Sequence, residues 1–243
     1  MSGILLDHIA IAVSRIADAP AVLVGHLGGA PAHGGSSPRY RFGQWRFEGG
    51  GRIEILEPAG RDGFLARFLE ARGAGIHHVT FRVPSLDDAC ARASARGYDI
   101  VGYDDSDPEW KEAFLHPKQA LGIVVQFAET TWTGGDGGPA HWTPPPGPRN
   151  PPAPVRIIGL TMKAHTRERA RSQWEEILCG ERSERNDKMI YRWPRSPLRL
   201  AIEIDPAADE GPCAIEYSSD RAVELPEGRH PVLGVVFKRA LDR

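Results

Sequence analysis

The sequence predicts an α+β fold of paired βαβββ modules, followed by a third, degenerate module of the same kind. Three observations carry this. First, two strand-like stretches copy one another. Leu6–Val13 (LDHIAIAV) and Gly75–Val83 (GIHHVTFRV) alternate with period two, which sorts side chains onto opposite faces. Ile9, Ile11 and Val13 share one face, as do Val79, Phe81 and Val83, while His8 and His78 fall on the other. Second, each copy is followed by a helical pattern and then by strands whose off-core face carries a polar residue. Glu54 does so in RIEILEP and Gln126 in GIVVQFAE. Third, the pattern restarts after a Gly/Pro-rich break, with Leu160 standing where the histidines stood.

Taken in order, the stretch Ser14–Leu27 holds a helix that Asp18 would cap, with Pro20 in its first turn and Gly28–Gly29 at its end. Pro31–Pro38 reads as a Gly/Ser/Pro loop. Arg39–Glu48 alternates and turns at Gly49–Gly51 into the Glu54 strand, a hairpin. Ala59–Ala74 connects the modules and holds a short amphipathic segment, Phe64–Ala71. After the His78 strand, Ser85 and Asp88 form a capping box for a helix that stops at Gly97. Tyr98–Val101 is a short strand, Asp104–Glu109 an acidic loop, and Ala113–Pro117 leads by a turn into the Gln126 strand. Thr130–Pro154, with GGDGG and PPPGP, cannot form a ladder or helix and reads as a linker or surface strap. From Val155 onward, Arg156–Ala164 is a strand and Thr166 caps a helix that ends at Gly180. Lys188–Trp193, Leu198–Ile204, Cys213–Ser218 and Val232–Lys238 are further strands. The expected domains are 1–130, a linker at 131–154, and 155–243.

Composition excludes several function classes. The 243 residues hold 30 Lys plus Arg against 32 Asp plus Glu, a formal charge of −2. No basic excess points to nucleic acid and no basic amphipathic run to a membrane surface. No apolar stretch reaches the roughly 18 residues that would span a bilayer. Three scattered cysteines make neither a disulfide framework nor a metal knuckle, so a reducing, cytoplasmic setting is expected. Without a basic stretch ahead of Ile4–Leu6, no signal peptide is expected.

The off-core faces offer two imidazoles, a carboxylate and an amide oxygen, a set that suits a divalent metal with room for water or substrate. LDHIAIAV, RIEILEP, GIHHVTFRV and EAFLHPKQALGIVVQFAE together resemble the vicinal oxygen chelate (glyoxalase/bleomycin resistance/dioxygenase) superfamily. The HHVTFRV, SLDDA and FLHPK pieces look most like its methylmalonyl-CoA epimerase branch. The resemblance covers residues 4–129 well and 155–243 in outline. It implies modules that curl into half-cups and pair around one divalent ion (Zn, Co, Ni, Mn or Fe). By position it implies His8, Glu54, His78 and Gln126 as ligands.

The epimerase pattern takes its amide from the first module and its carboxylate from the second; here the two are exchanged. Glu54 is then the residue left to act as base, because Gln126 cannot take a proton. The implied function is a lyase or isomerase of glyoxalase or epimerase type, acting on a small molecule that chelates the metal. The alternatives are a non-catalytic binding or resistance protein of the same fold, and an extradiol-type dioxygenase. Arg41, Trp45, Arg82, His116 and Lys118 are candidate substrate contacts, whereas His77, on the core face, reads as structural. The third module, one unit where the family pairs two, is expected to make the protein a homodimer.

Overall fold

The computed structural model describes residues 3–131 and 142–240. The GGDGG part of the expected linker lies outside them. Among the described residues an eight-stranded and a six-stranded sheet carry the fold, and helices are few and short. In the first module, strand β1 (Leu5–Ala12) leads through a 3-10 turn (Ile16–Asp18) and helix α1 (Pro20–Leu23) to β2 (Ala30–Ser36), β3 (Tyr40–Arg46) and β4 (Arg52–Pro58). Helix α2 (Phe64–Arg72) connects to the second module: β5 (Gly75–Arg82), α3 (Leu86–Ser94), β6 (Ile100–Asp104), β7 (Lys111–Leu115) and β8 (Val124–Glu129). The sheet order is β2-β3-β4-β1-β5-β8-β7-β6, with β1·β4 and β5·β8 parallel.

The third module follows the same plan. Strand β9 (Arg156–Ala164) is followed by α4 (Arg167–Arg171), a π-helical stretch (Ser172–Ile177), β10 (Glu181–Arg185), β11 (Lys188–Arg192) and β12 (Arg199–Ile204). Two more strands, β13 (Gly211–Ser218) and β14 (Phe237–Arg239), complete the order β10-β11-β12-β9-β13-β14. Parallel pairs β9·β12 and β13·β14 repeat those of the first sheet. The third module is therefore not alone in its sheet. Strands of the same chain stand where β5 and β8 stand, which removes the reason for expecting a second chain to complete it.

Four sequence expectations are corrected. Pro31–Ser36 is strand rather than loop: Gly34 and Gly35 leave room for the rings of Trp142 and Phe42 to lie on the backbone, which a Cβ would meet at 2.7 and 2.6 Å. Asp18 caps nothing. The N–H of Ile16 is instead accepted by the Glu57 carboxylate at 2.6 Å, and α1 is only four residues long. The all-charged β10 (ERSER), exposed throughout, was invisible to apolar alternation; it is turned onto β11 by Asn186 and Asp187, both at positive φ. The last strand is confined to Phe237–Arg239. The caps Ser85 and Thr166 accept the N–H groups of Asp88 and Arg169 as expected.

The chain falls into two compact units. One comprises Met1–His8, His78–Thr133 and Gly159–Cys213. Its core sets Phe81 of β5 against Trp174 and Trp193, ring centroids 6.1 and 4.8 Å apart. The Trp193 indole N–H donates to the Leu178 carbonyl at 2.7 Å. The other unit comprises Ile9–His77, Gly134–Ile158 and Ala214–Arg243. In it, Leu65 of α2 packs on Ala10, Ala12 and Leu56, flanked by Tyr40, Phe42, Phe68 and Leu69. The strap from Trp142 onward lies over β2 and β3, where Gly43 admits Trp142 and Pro144. No helix among the described residues is long and apolar enough to cross a membrane.

Candidate metal centre

Period two on β1 and β5 sends His8, Ala10 and Ala12 one way and His78 and Thr80 likewise. Register then aligns their neighbours. Glu54 of β4 sits beside Ala10 of β1 and Gln44 of β3, and Gln126 of β8 sits beside Thr80 of β5. His8, Glu54 and His78 are all buried, and each offers a ligand atom within 4.8 Å of the others. Two ligands about 2.0–2.2 Å from one ion lie at most roughly 4.4 Å apart, so the spacing suits a shared ion after small side-chain adjustment. The rings of His8 and His78 meet edge to face, centroids 5.9 Å apart.

Gln126 reaches the same group of side chains through a hydrogen-bond chain. The Thr80 hydroxyl donates to Gln126 Oε1 at 2.6 Å and lies 2.9 Å from His8 Nε2. The Gln126 amide donates to Glu112 at 2.7 Å, and Glu112 also accepts the Trp110 indole N–H at 2.9 Å. The amide is therefore held with its oxygen toward His8 and its nitrogen toward Glu112. On the other side of the face, Gln44 Nε2 donates to Glu54 Oε2 at 2.9 Å. Gln44 Oε1 is buried and has no hydrogen-bond partner among the described residues. Buried polar atoms are rarely left so, and this one fits a face completed by something bound.

The other sequence candidates separate. Trp45 is fully buried in the core, and its neighbour Gln44 takes the place on the site face. Arg41 pairs with Glu57. Arg82 pairs with Asp7 at 2.8 Å. His116 Nδ1 accepts the Lys118 N–H in the turn before β8. Lys118 lines an open cavity of about 490 Å³ with Arg96, Tyr98 and Arg169, whose cations are paired with Glu176 and Glu210. His77 packs on Phe64 and Phe68, with centroids 5.5 and 5.0 Å away. Burial pushes its pKa down to about 4, against the opposing pull of the Glu54 charge, so the ring is neutral at pH 7. Asp7, Gln44, Thr80 and Glu112 were not singled out from the sequence. Thr80 alone had a usable signal there, since it shares the His78 face.

A sequence profile of the glyoxalase/bleomycin resistance protein/dioxygenase superfamily matches residues 7–114. The uncharacterized protein YqjC of Bacillus subtilis is 30% identical over 130 residues, 51% of this chain and 91% of its own length. The chain belongs to this superfamily. A further superfamily relative, human mitochondrial methylmalonyl-CoA epimerase, is 27% identical over 146 residues, 51% of this chain and 73% of its own. A solved structure of a 4-hydroxymandelate synthase variant from Streptomyces coelicolor aligns with TM-score 0.64 and 14% identity, over 91% of this chain and 72% of its own. Sequence likeness to the first two covers half the chain, while likeness of fold to the third covers most of it. One of these relatives is an epimerase, and the superfamily's own name includes dioxygenases.

Proposed function

We propose that the protein is a metal-dependent lyase or isomerase that moves a proton at the carbon next to a carbonyl. One observation carries the reading: the buried ligand atoms of His8, Glu54 and His78 lie within 4.8 Å of one another. His8, His78 and the amide oxygen of Gln126 would hold the ion, with Glu54 beside them. Imidazole and oxygen donors suit Zn, Co, Ni, Mn or Fe(II). A bound ion would act as a Lewis acid, stabilising negative charge that develops on the substrate oxygen. The chain's own residues do the rest. Glu54 takes the proton from the substrate carbon and returns it. Gln44 orients the Glu54 carboxylate through its amide N–H and leaves its carbonyl oxygen for the bound molecule.

The test is deuterium exchange at the substrate carbon by metal-loaded protein, with methylmalonyl-CoA and small α-hydroxy acids as first substrates. Exchange by wild type and its loss in Glu54→Gln are expected. Full exchange in Glu54→Gln overturns the reading.

A second reading rests on the same three residues, because two histidines and one carboxylate are also the donor set of non-haem iron oxygenases. Gln126 as a further ligand would close one of the positions that oxygen and substrate need. Oxygen uptake by iron-loaded protein distinguishes the two.

A further inference from the structure

We infer that Asp7 is a positioning residue of the metal centre. Held by Arg82, its carboxylate fixes the His8 ring so that Nε2 is the nitrogen turned to the ion. The inference rests on the metal reading above. Asp7 precedes His8 on β1, and its side chain is 9% exposed. Both carboxylate oxygens are engaged: Oδ2 lies 2.8 Å from His8 Nδ1 and Oδ1 2.8 Å from Arg82 Nε. An ionised carboxylate only accepts, so Nδ1 carries the proton. Nε2 is then the nitrogen that an ion would take; it lies 2.9 Å from Thr80 Oγ1, whose one proton is shared between Nε2 and Gln126 Oε1.

Arg82 ends β5, the strand that also supplies His78 and Thr80. One strand thus provides a ligand, a hydroxyl contact and the clamp for the second ligand. The arginine has a physical reason to be there. A buried carboxylate against a neutral imidazole would lack a counter-charge, and removing one partner of such a pair is costly. A ligand histidine whose other nitrogen is held by a carboxylate is also more basic and fixed in orientation. Arg82 is therefore committed to the centre's scaffold rather than to the substrate.

The experiment titrates chelator-stripped protein with cobalt(II), following visible absorption and thermal melting. The variants are Asp7→Ala, Asp7→Asn, Arg82→Gln and His8→Ala. Wild type should bind one ion per chain, and His8→Ala should lose it. Asp7→Ala should bind about 10–100-fold more weakly, with an altered cobalt spectrum, and its metal-free form should melt lower because Arg82 loses its counter-charge. Asp7→Asn keeps an acceptor oxygen and should recover part of the loss; Arg82→Gln should fall between. If Asp7→Ala and Asp7→Asn bind cobalt as wild type does, or only their melting changes, the positioning role is overturned while the metal reading stands. Wild type that binds no cobalt, or His8→Ala that binds as well as wild type, overturns the metal reading and this inference with it.

Discussion

The first and third modules place the same backbone positions side by side and fill them with opposite chemistry. In the first, Glu54 lies between Ala10 and Gln44, with His8 two residues before Ala10. In the third, Ile202 lies between Met162 and Met189, with Leu160 two residues before Met162. Those four third-module side chains are fully buried. The six-stranded sheet therefore closes this face with apolar packing and needs nothing bound. The strand order and the parallel β9·β12 pair survive without a single ligand residue. In this chain the buried His8, Glu54 and His78 group is an addition to a scaffold that stands without it.

The sharpest break in the comparison is at Glu54. Glu54→Gln keeps shape and removes the proposed base, so proton exchange should fall on the order of 10²–10⁴-fold while the melting of metal-free protein stays close to wild type. Isotope exchange and calorimetry on the same preparation check both halves.

The reverse swap is next in size. Ile202→Glu puts an unpaired carboxylate among Met162 and Met189, where Glu54 has Gln44 for company. A loss of about 3–5 kcal/mol is expected, read from the urea midpoint. A near-neutral effect would mean that the third-module face opens to water.

The largest histidine-linked acid sensitivity belongs to the first sheet; β13, the counterpart of β5, carries no histidine, and around the second sheet burial lowers the pKa of His230 and the Lys163 hydrogen bond lowers that of Asp205. His77 has a folded pKa of about 4 against an ordinary 6.5. Between those values the unfolded chain binds a proton that the folded chain refuses. Stability is therefore retained above pH 6.5 and falls as pH drops toward 4, by up to roughly 3 kcal/mol. Urea midpoints of chelated protein across that window should show the slope, and His77→Phe should flatten it.

The smallest expected effect is common to both sheets. Ser85→Ala and Thr166→Ala each remove one N-cap acceptor and should each cost about 1 kcal/mol. Equal losses in thermal melts would show that the helices are held alike where the sites differ. Unequal ones would mark which module depends more on its helix.

Period-two alternation is a local property, and its consequences were determined by the sequence alone. It sorted His8, Glu54, His78 and Gln126 from the apolar faces and set the module order. Local spacing likewise placed the caps Ser85 and Thr166, whose partners lie three residues away. The tertiary structure decided whatever depends on distant partners. Gly34 and Gly35 form a strand because Trp142 and Phe42 cover them. Ile16 is capped by Glu57 from another strand. Gln44 rather than Trp45 meets Glu54, because register and not composition chooses the face. Asp7 and Arg82 find each other from strands far apart in the chain. A lone charged residue on a strand reads as a solvated face until the strand beside it is known, and that neighbour is set by the sheet order, which no local pattern encodes.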